Sequence, residues 1–572
     1  MRIARLRIHK FRGFDNAEFV LSGHTVFSGE PRAGRSDLVE ALRRVLDPRS
    51  TRNRVNPLDI HRSAITPGAS ERTEVEVVLL DLGSALEALL DDVLEAFDPS
   101  TGEQATGSTA GRAALGVRLC YRATYDFDSD SGDHWVDFPK QSLPDIRFYK
   151  KVSRVLREAL PVLFVDHAEA LQLRAEGALR SLLAQSDQAA LDSALAGLDV
   201  GVRLATQSFS RSGVVDSGLQ VIASSGPGDL FGLSAGKQIE FVADDGSLAT
   251  LLRALQPAIS LDSADPLPAR SHGSTLISVL SAAEAVAAAR ARADSLTIIG
   301  DDFGDAMDAS SAEHMAGLLR STAHQCLLTT RRPEVLRAFD AEELVRFSIR
   351  AGAREAHRLP VLTSKSDRIA RRLVLDQLLA AITARTVTLV EGPLDVEGYG
   401  TLARRLEQSN GAAYSFSASG IRLVSPPGSD GGISRLPEMA RVAVALGFKV
   451  KAIVDNDKPG AEDPAVAQLE SIVEQLVVLP DRTAVEAALI RGVTGVHLRA
   501  IVADLASSGL EQLPGPIADD EIADHVIRTK ALKKSGLHSA FATLLAEAPP
   551  IASAVIAAVC SAHTGRIDIP AS

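Results

Sequence analysis

At 572 residues the chain is too long for one hydrophobic core, and 45% hydrophobic with 23% charged residues is ordinary for a globular protein of two or three domains. A net charge of −12 excludes a surface coated in basic residues. It leaves nucleic acid open as a substrate, because clustered acids that hold divalent cations lower the total while a local arginine stripe still tracks phosphates. Cys120, Cys326 and Cys560 are far apart and form no zinc or disulfide pattern, which fits a reducing cytoplasm. No apolar run approaches the roughly 20 residues of a membrane span. The opening MRIARLRIHKFRGF lacks the apolar stretch of a secretory signal, so a cytoplasmic location is expected.

In chain order, RIARLRIHKF, AEFVL and HTVFSG read as strands, and a Gly-rich turn and the amphipathic helix SDLVEALRRVL follow. TEVEVVLL (73–80) and GVRLCYRATYDF (116–127) are further strands, and 98–113 and 128–133 look like loop tips. From about 147 to 207 alanine and leucine recur at helical spacing. KQIEFVAD (237–244), SLTIIGDD (295–302) and QCLLTTRRP (325–333) return to strand character. After Arg350 a helix over 366–384 opens a strand–helix alternation, TVTLVEG, YGTLARRL, IRLVSP, MARVAVALG, KVKAIVDND, QLESIVEQL and QLVVLP. Such alternation predicts a parallel sheet with helices on its faces.

GEPRAGRS, Gly29 to Ser36, lies between a strand and a helix and follows the P-loop spacing G-x-x-x-x-G-K-[S/T], with Arg35 at the lysine position. Gly29 and Gly34 permit a loop whose N–H groups face phosphates at a helix N-terminus, and Ser36 places a hydroxyl for Mg²⁺. Lysine is a compact point charge and arginine a planar fork, so Arg35 implies that nucleotide binding survives while hydrolysis suffers. SLTIIGDD ends in Asp301 and Asp302, a Walker B acid pair. Asp301 is expected to hold Mg²⁺ through its hydration shell, and Asp302 stands where a longer glutamate would orient the attacking water. Ser271-His272-Gly273-Ser274, ahead of an Ala-rich helix, reads as an ABC signature segment or as a plain helix cap.

The second constellation is C-terminal. TVTLVEGPLD puts Glu391 at a strand tip and Asp395 about one helical turn later, and KVKAIVDND puts Asp455 and Asp457 at another strand end. Residues i and i+2 of a strand share a face, so the two aspartates are expected to converge. Carboxylates gathered there repel unless divalent cations sit among them, and an all-oxygen set favours Mg²⁺ or Mn²⁺. E-G-x-x-D with D-x-D on strand ends is the TOPRIM pattern. His9, His272 and His538 have no acid or nucleophile partner in the pattern and read as structural.

Together these motifs resemble the OLD (overcoming lysogenization defect) family, related to RecF and SMC-type heads. TTRRPEVL resembles that group's T-H-[S]-P switch segment, with Arg331 at the histidine position. The resemblance implies an α/β chain: an ABC-type ATPase domain in 1–150 and 231–360, a helical dimerisation insertion in 151–230, and a TOPRIM nuclease domain in 361–572. It makes Glu391, Asp395, Asp455 and Asp457 metal ligands, with Glu486 completing the site and Lys534, or Lys533, stabilising transition-state charge. It also implies ATP with Mg²⁺ at the P-loop, two metals at the TOPRIM site, DNA as substrate, a homodimer or higher homo-oligomer, and an anti-phage role with or without a UvrD-like helicase. Two rivals stay open: an ATP-gated DNA-binding or sensing protein that does not cut, and a RecF-like repair protein.

Overall fold

The computed structural model describes the chain apart from residues 22, 53, 62–69, 107–110, 166–177, 211, 213–257, 260–266, 293–294, 429–431, 458–459, 461–462, 508–516, 529–536, 547 and 572. An antiparallel sheet at the front has the order β2-β1-β4-β6-β5, with β7 also on β6. Its strands are β1 (Arg2–Phe11), β2 (Phe14–Val20), β4 (Ser70–Leu80), β5 (Glu95–Phe97), β6 (Ala114–Asp126) and β7 (Ser131–Asp137). Alternation along β4 decides its faces: Val75, Val77 and Leu79 are buried, while Glu74 and Glu76 turn outward. On that outer face Arg118 of β6 lies 3.5 Å from Glu76, a cross-strand pair of opposite charge.

The second sheet runs β14-β13-β3-β12-β11-β8. Here β3 is Thr25–Gly29, β8 Val162–Val165, β11 Thr297–Gly300, β12 Gln325–Thr329, β13 Leu344–Arg350 and β14 Ala353–Arg358. All pair in parallel except the β13–β14 hairpin. A two-residue ribbon, β9 (Ala258–Ile259) with β10 (Leu267–Pro268), stands apart. Helix α1 (Arg35–Leu46) shares one core with the antiparallel sheet and with Phe27, Ile299, Leu327 and Phe347 of the parallel sheet, so it is clamped between the two. Gly29 closes β3 at φ 124°, and a Cβ there would meet the Phe347 carbonyl oxygen at 2.1 Å. Gly29→Ala should cost on the order of 3 kcal/mol, read as a shifted denaturant midpoint, because it combines strain with a backbone clash.

The connecting helices are α2 (Ser84–Leu89), α3 (Arg154–Ala159), α4 (Ala178–Ser210, broken at Asp187), α5 (Ser274–Ala291), α6 (Ala309–Thr322) and α7 (Pro333–Arg337). By length and composition α5 could cross a membrane, yet its Ala282, Ala285, Val286 and Ala289 lie in the core against the parallel sheet, where an Ala-rich helix packs closely. The sequence pattern differs from the structure in several places. Residues 162–165, VLFV, form edge strand β8 rather than helix, because β-branched and aromatic side chains find β11 beside them. Residues 131–133 begin β7 instead of ending a loop. The β13–β14 hairpin stands where no strand was expected. The strand expected at 237–244 lies outside the described residues.

The C-terminal sheet is wholly parallel, with the order β16-β15-β17-β18-β19. Its strands are β15 (Thr386–Leu389), β16 (Ile421–Val424), β17 (Lys449–Val454), β18 (Gln475–Val478) and β19 (Gly565–Asp568). Around it lie α8 (Lys365–Leu379), α9 (Pro393–Asn410), α10 (Leu436–Ala445), α11 (Asp463–Glu470), α12 (Val485–Ile490), α13 (Gly495–Ser507), α14 (Ile522–Arg528), α15 (Leu537–Leu544) and α16 (Pro550–Cys560). Core residues lie on both faces, so β15 and β18 are buried along their whole length, Thr386, Thr388 and Gln475 included. One face joins the same core as α5, α6 and the front parallel sheet, which makes the two halves one packed body along that seam.

Arg346 of β13 crosses this seam. It is fully buried, and it donates to the carbonyls of Ile382 (3.0 Å), Leu446 (3.0 Å) and Ala384 (2.6 Å). Its guanidinium stands 3.6 Å over the Phe448 ring and 3.8 Å from the Glu30 carboxylate in the P-loop.

Candidate functional site: a phosphate loop and an acidic sheet edge

The P-loop stands between β3 and α1, next to β12 and β13. Strand β12 separates β3 from β11, so Asp301 and Asp302 at the end of β11 reach the loop from one strand away. Ser36 Oγ donates to Asp301 at 3.2 Å, and Thr329 Oγ1, at the end of β12, donates to the same oxygen at 2.6 Å. Gly34 is the helix N-cap at φ 105°, and the Arg354 guanidinium lies where its Cβ would go, 2.6 Å away, while pairing with Asp37 at 2.6 Å. Ser36, Asp301, Gly29 and Gly34 are therefore gathered around one loop.

Arg35 behaves differently from a phosphate-binding lysine. Its Nη1 donates to the loop's own carbonyls, Gly29 at 2.6 Å and Glu30 at 3.4 Å, and its Nη2 lies 3.9 Å from Asp302. Burial pushes its pKa down and Asp302 pulls it back. Asp302 sits at φ 43°, 3.9 Å from both Arg35 and Arg331. Burial and then the charges of Asp301 and Asp305 raise its pKa, while the two arginines oppose them. Arg331 is itself engaged with Asp305. Asp302, expected from the sequence to stand where a water would be oriented, is thus held in a charge network. Ser271 to Gly273 precede α5 and Ser274 opens it, with Gly273 as the N-cap at φ 97° and no side-chain cap.

In the C-terminal half, strand order reverses between β15 and β17, the switch point where open parallel sheets bind ligands at their carboxyl ends. Glu391 follows β15 and Asp455 follows β17. The Asp455 backbone N–H donates to the Glu391 carboxylate at 2.9 Å, tying the two strand ends together. Asp395, buried, accepts the Gly392 N–H at 2.9 Å and so also caps α9. Glu486 is buried on α12, and the Val485 N–H points at Asp455 from 3.4 Å. Burial foremost, then the charges of Asp395, Glu391 and Glu486, holds the Asp455 carboxyl well above the ordinary range. Four of the expected carboxylates are therefore neighbours.

Asp457 does not join them. Strand β17 ends at Val454, so the two-residue alternation expected for Asp455 and Asp457 has no strand to act on. Asn456 instead bridges to Thr483, and Asp457 is exposed. Lys533 and Lys534 lie outside the described residues. Among the described residues no three His, Cys, Asp or Glu side chains converge closely enough to hold a metal ion. The four carboxylates form a charge cluster rather than a closed shell. Their all-oxygen chemistry and mutual repulsion nevertheless suit a divalent cation. Sequence reading missed Tyr399, Arg346 and Arg354, which sit in no recognisable spacing, and Glu30, a variable position inside the glycine loop.

The chain is a mixed α/β protein with a glycine loop of phosphate-loop spacing between β3 and α1 and a separate parallel sheet that carries an acidic edge. Among solved structures the chain is similar to an SMC head bound to the C-winged helix domain of ScpA, at 12% identity and TM-score 0.33, over 63% of this chain and 98% of that one. It is also similar to an Smc head with an extended coiled coil bound to the C-terminal domain of ScpA, from Pyrococcus furiosus, at 11% identity and TM-score 0.33, over 64% and 98%. The SMC head domain from Thermotoga maritima aligns at 11% identity and TM-score 0.26, over 63% and 100%. No family model matches the sequence, and no curated protein matches it. The functional reading rests on the geometry of the two sites.

Proposed function

We propose that the chain is a divalent-cation-dependent DNA endonuclease or nickase, with the acidic edge as its hydrolytic site and the phosphate loop as a nucleotide-binding control. The observation that carries this reading is the Glu391–Asp455 link at 2.9 Å, with Asp395 and Glu486 close enough to raise the Asp455 pKa. Glu391, Asp395, Asp455 and Glu486 are the residues that would hold Mg²⁺ or Mn²⁺. When bound, such ions activate water and neutralise charge on a phosphodiester. The chain's own part is to hold the carboxylates at the switch point, with the Asp455 N–H fixing Glu391 and the Gly392 N–H fixing Asp395. The resemblance to the OLD family adds a cytoplasmic, homo-oligomeric, anti-phage setting, with or without a UvrD-like helicase. The test is nicking of supercoiled plasmid by the full chain with Mg²⁺ or Mn²⁺; cleavage that persists unchanged in Glu391→Gln would end the assignment.

A second reading, a nucleotide-gated DNA-binding protein that does not cut, is favoured by one observation: the described carboxylates close no cation shell. Binding of DNA without any nicking in either cation would support it.

For the nucleotide site we infer ATP binding with slow turnover, because Arg35 is committed to the loop's own carbonyls and Asp302 to two arginines. Arg35→Lys should raise steady phosphate release about tenfold, since an ammonium leaves those carbonyls free and fits the cradle as a point charge. Wild-type release already at ordinary rates, and lost in Asp301→Ala, would contradict this.

A further inference from the structure

We propose that Tyr399 is a positioning residue of the acidic site, its hydroxyl donating a hydrogen bond into the carboxylate cluster when that cluster holds a divalent cation. The inference rests on the cation-dependent reading above.

Tyr399 is 1% exposed, and among the described residues its buried hydroxyl has no hydrogen-bond partner. A phenylalanine would fill the same space without leaving a donor unused, and buried donors are seldom left so. Its position explains what the hydroxyl is for. Tyr399 lies four residues after Asp395 on α9, so the two share one helix face. Between them Gly398 presses on α12, the helix of Glu486: a Cβ at Gly398 would stand 3.0 Å from Leu489. Tyr399 thus stands beside the contact between the helix of Asp395 and the helix of Glu486, in one core with Val485 and Leu489.

The surrounding charges agree with this placement. Burial foremost, and then Asp455, Asp395, Glu486 and Glu391, push the phenol's pKa well up, so it stays protonated and is a donor only toward an acceptor. Those four carboxylates are the acceptors whose charge it feels. Groups that orient metal ligands from behind commonly govern affinity by ten- to a hundredfold.

The experiment uses the full chain without nucleotide and Mn²⁺ alone as the probe. Mn²⁺ dissociation constants from calorimetry and thermal melts with and without Mn²⁺ are compared for wild type, Tyr399→Phe and Asp455→Asn. The expected result is a Tyr399→Phe protein that melts no lower than wild type without cation and binds Mn²⁺ about tenfold more weakly. Wild-type Mn²⁺ affinity in Tyr399→Phe would overturn the proposal, and so would a clearly lower melting temperature without cation, which would mean the hydroxyl already has a partner. Asp455→Asn separates the two levels. If it too binds Mn²⁺ like wild type, the acidic edge is not a cation site and the functional reading fails with it. If it loses Mn²⁺ while Tyr399→Phe keeps it, only the role given to Tyr399 falls.

Discussion

Asp455→Asn should abolish cation-dependent nicking, by at least about a hundredfold, and at the same time make the cation-free protein more heat-resistant. The opposite signs have one cause. Asp455 is held well above the ordinary carboxylate range by burial and by Asp395, Glu391 and Glu486. A carboxyl whose folded pKa lies above its unfolded value, about 3.9, binds its proton more tightly in the native state. Its contribution to stability is therefore most favourable below the unfolded value and declines as pH climbs through the raised folded one. Above that, the native state carries a repelled charge. Asparagine removes the charge, so the variant's melting temperature should exceed wild type by a few degrees near pH 8 and converge with it toward pH 4. A divalent cation relieves the same repulsion, so wild type should gain more from added Mn²⁺ than the variant does. Equal melting curves at pH 8, with nicking retained, would remove both the repulsion and its catalytic purpose.

Arg346→Ala should destabilise the chain by about 3–5 kcal/mol and split one thermal transition into two. The guanidinium is wholly buried, and burial pushes its pKa down to about 10, with Glu30 opposing the shift. It remains charged, and three carbonyls across the seam satisfy its donors. Truncation leaves those carbonyls without their donor, exposes the Glu30 carboxylate to an uncompensated site and opens a cavity over Phe448. Arg346→Lys should recover only part of the loss, because an ammonium cannot lie flat on the ring while reaching three separated oxygens. Since Ile382, Ala384 and Leu446 belong to the C-terminal half and Glu30 to the P-loop, the lost cooperativity should appear between the halves. A single transition, shifted by less than a degree, would show that the apolar seam suffices without Arg346.

Much of the candidate chemistry was legible because it is local. A glycine spacing of five residues, a strand before it and a helix after it are all contained in Thr25–Leu46. The short, largely apolar runs before Glu391, Asp301 and Asp455 announced strand tips, because each is rich in Val, Ile or Thr, is too short for a helix and ends in Gly, Asp or Asn. Asp457 shows where local reasoning stops: its spacing promised a shared face, but the strand ended before Asp455. VLFV at 162–165 was hidden in a helical stretch because four residues carry too little period to tell strand from helix without β11 beside them.

By itself the sequence determined most of the kinds of element, the glycine loop, and Glu391, Asp301 and Asp455 as acids that follow strands, since these follow from periodicity and from glycine's freedom over a few residues. Tertiary structure alone decided which acids meet, that Arg35 turns onto its own loop, and that Arg346 and Tyr399 are buried between elements. The Arg346 partners lie 36 to 100 residues along the chain. An arginine in a strand or a tyrosine on a helix looks like surface or core until the distant groups that surround it are in place, because burial and hydrogen bonding are properties of the packed neighbours and not of the residue.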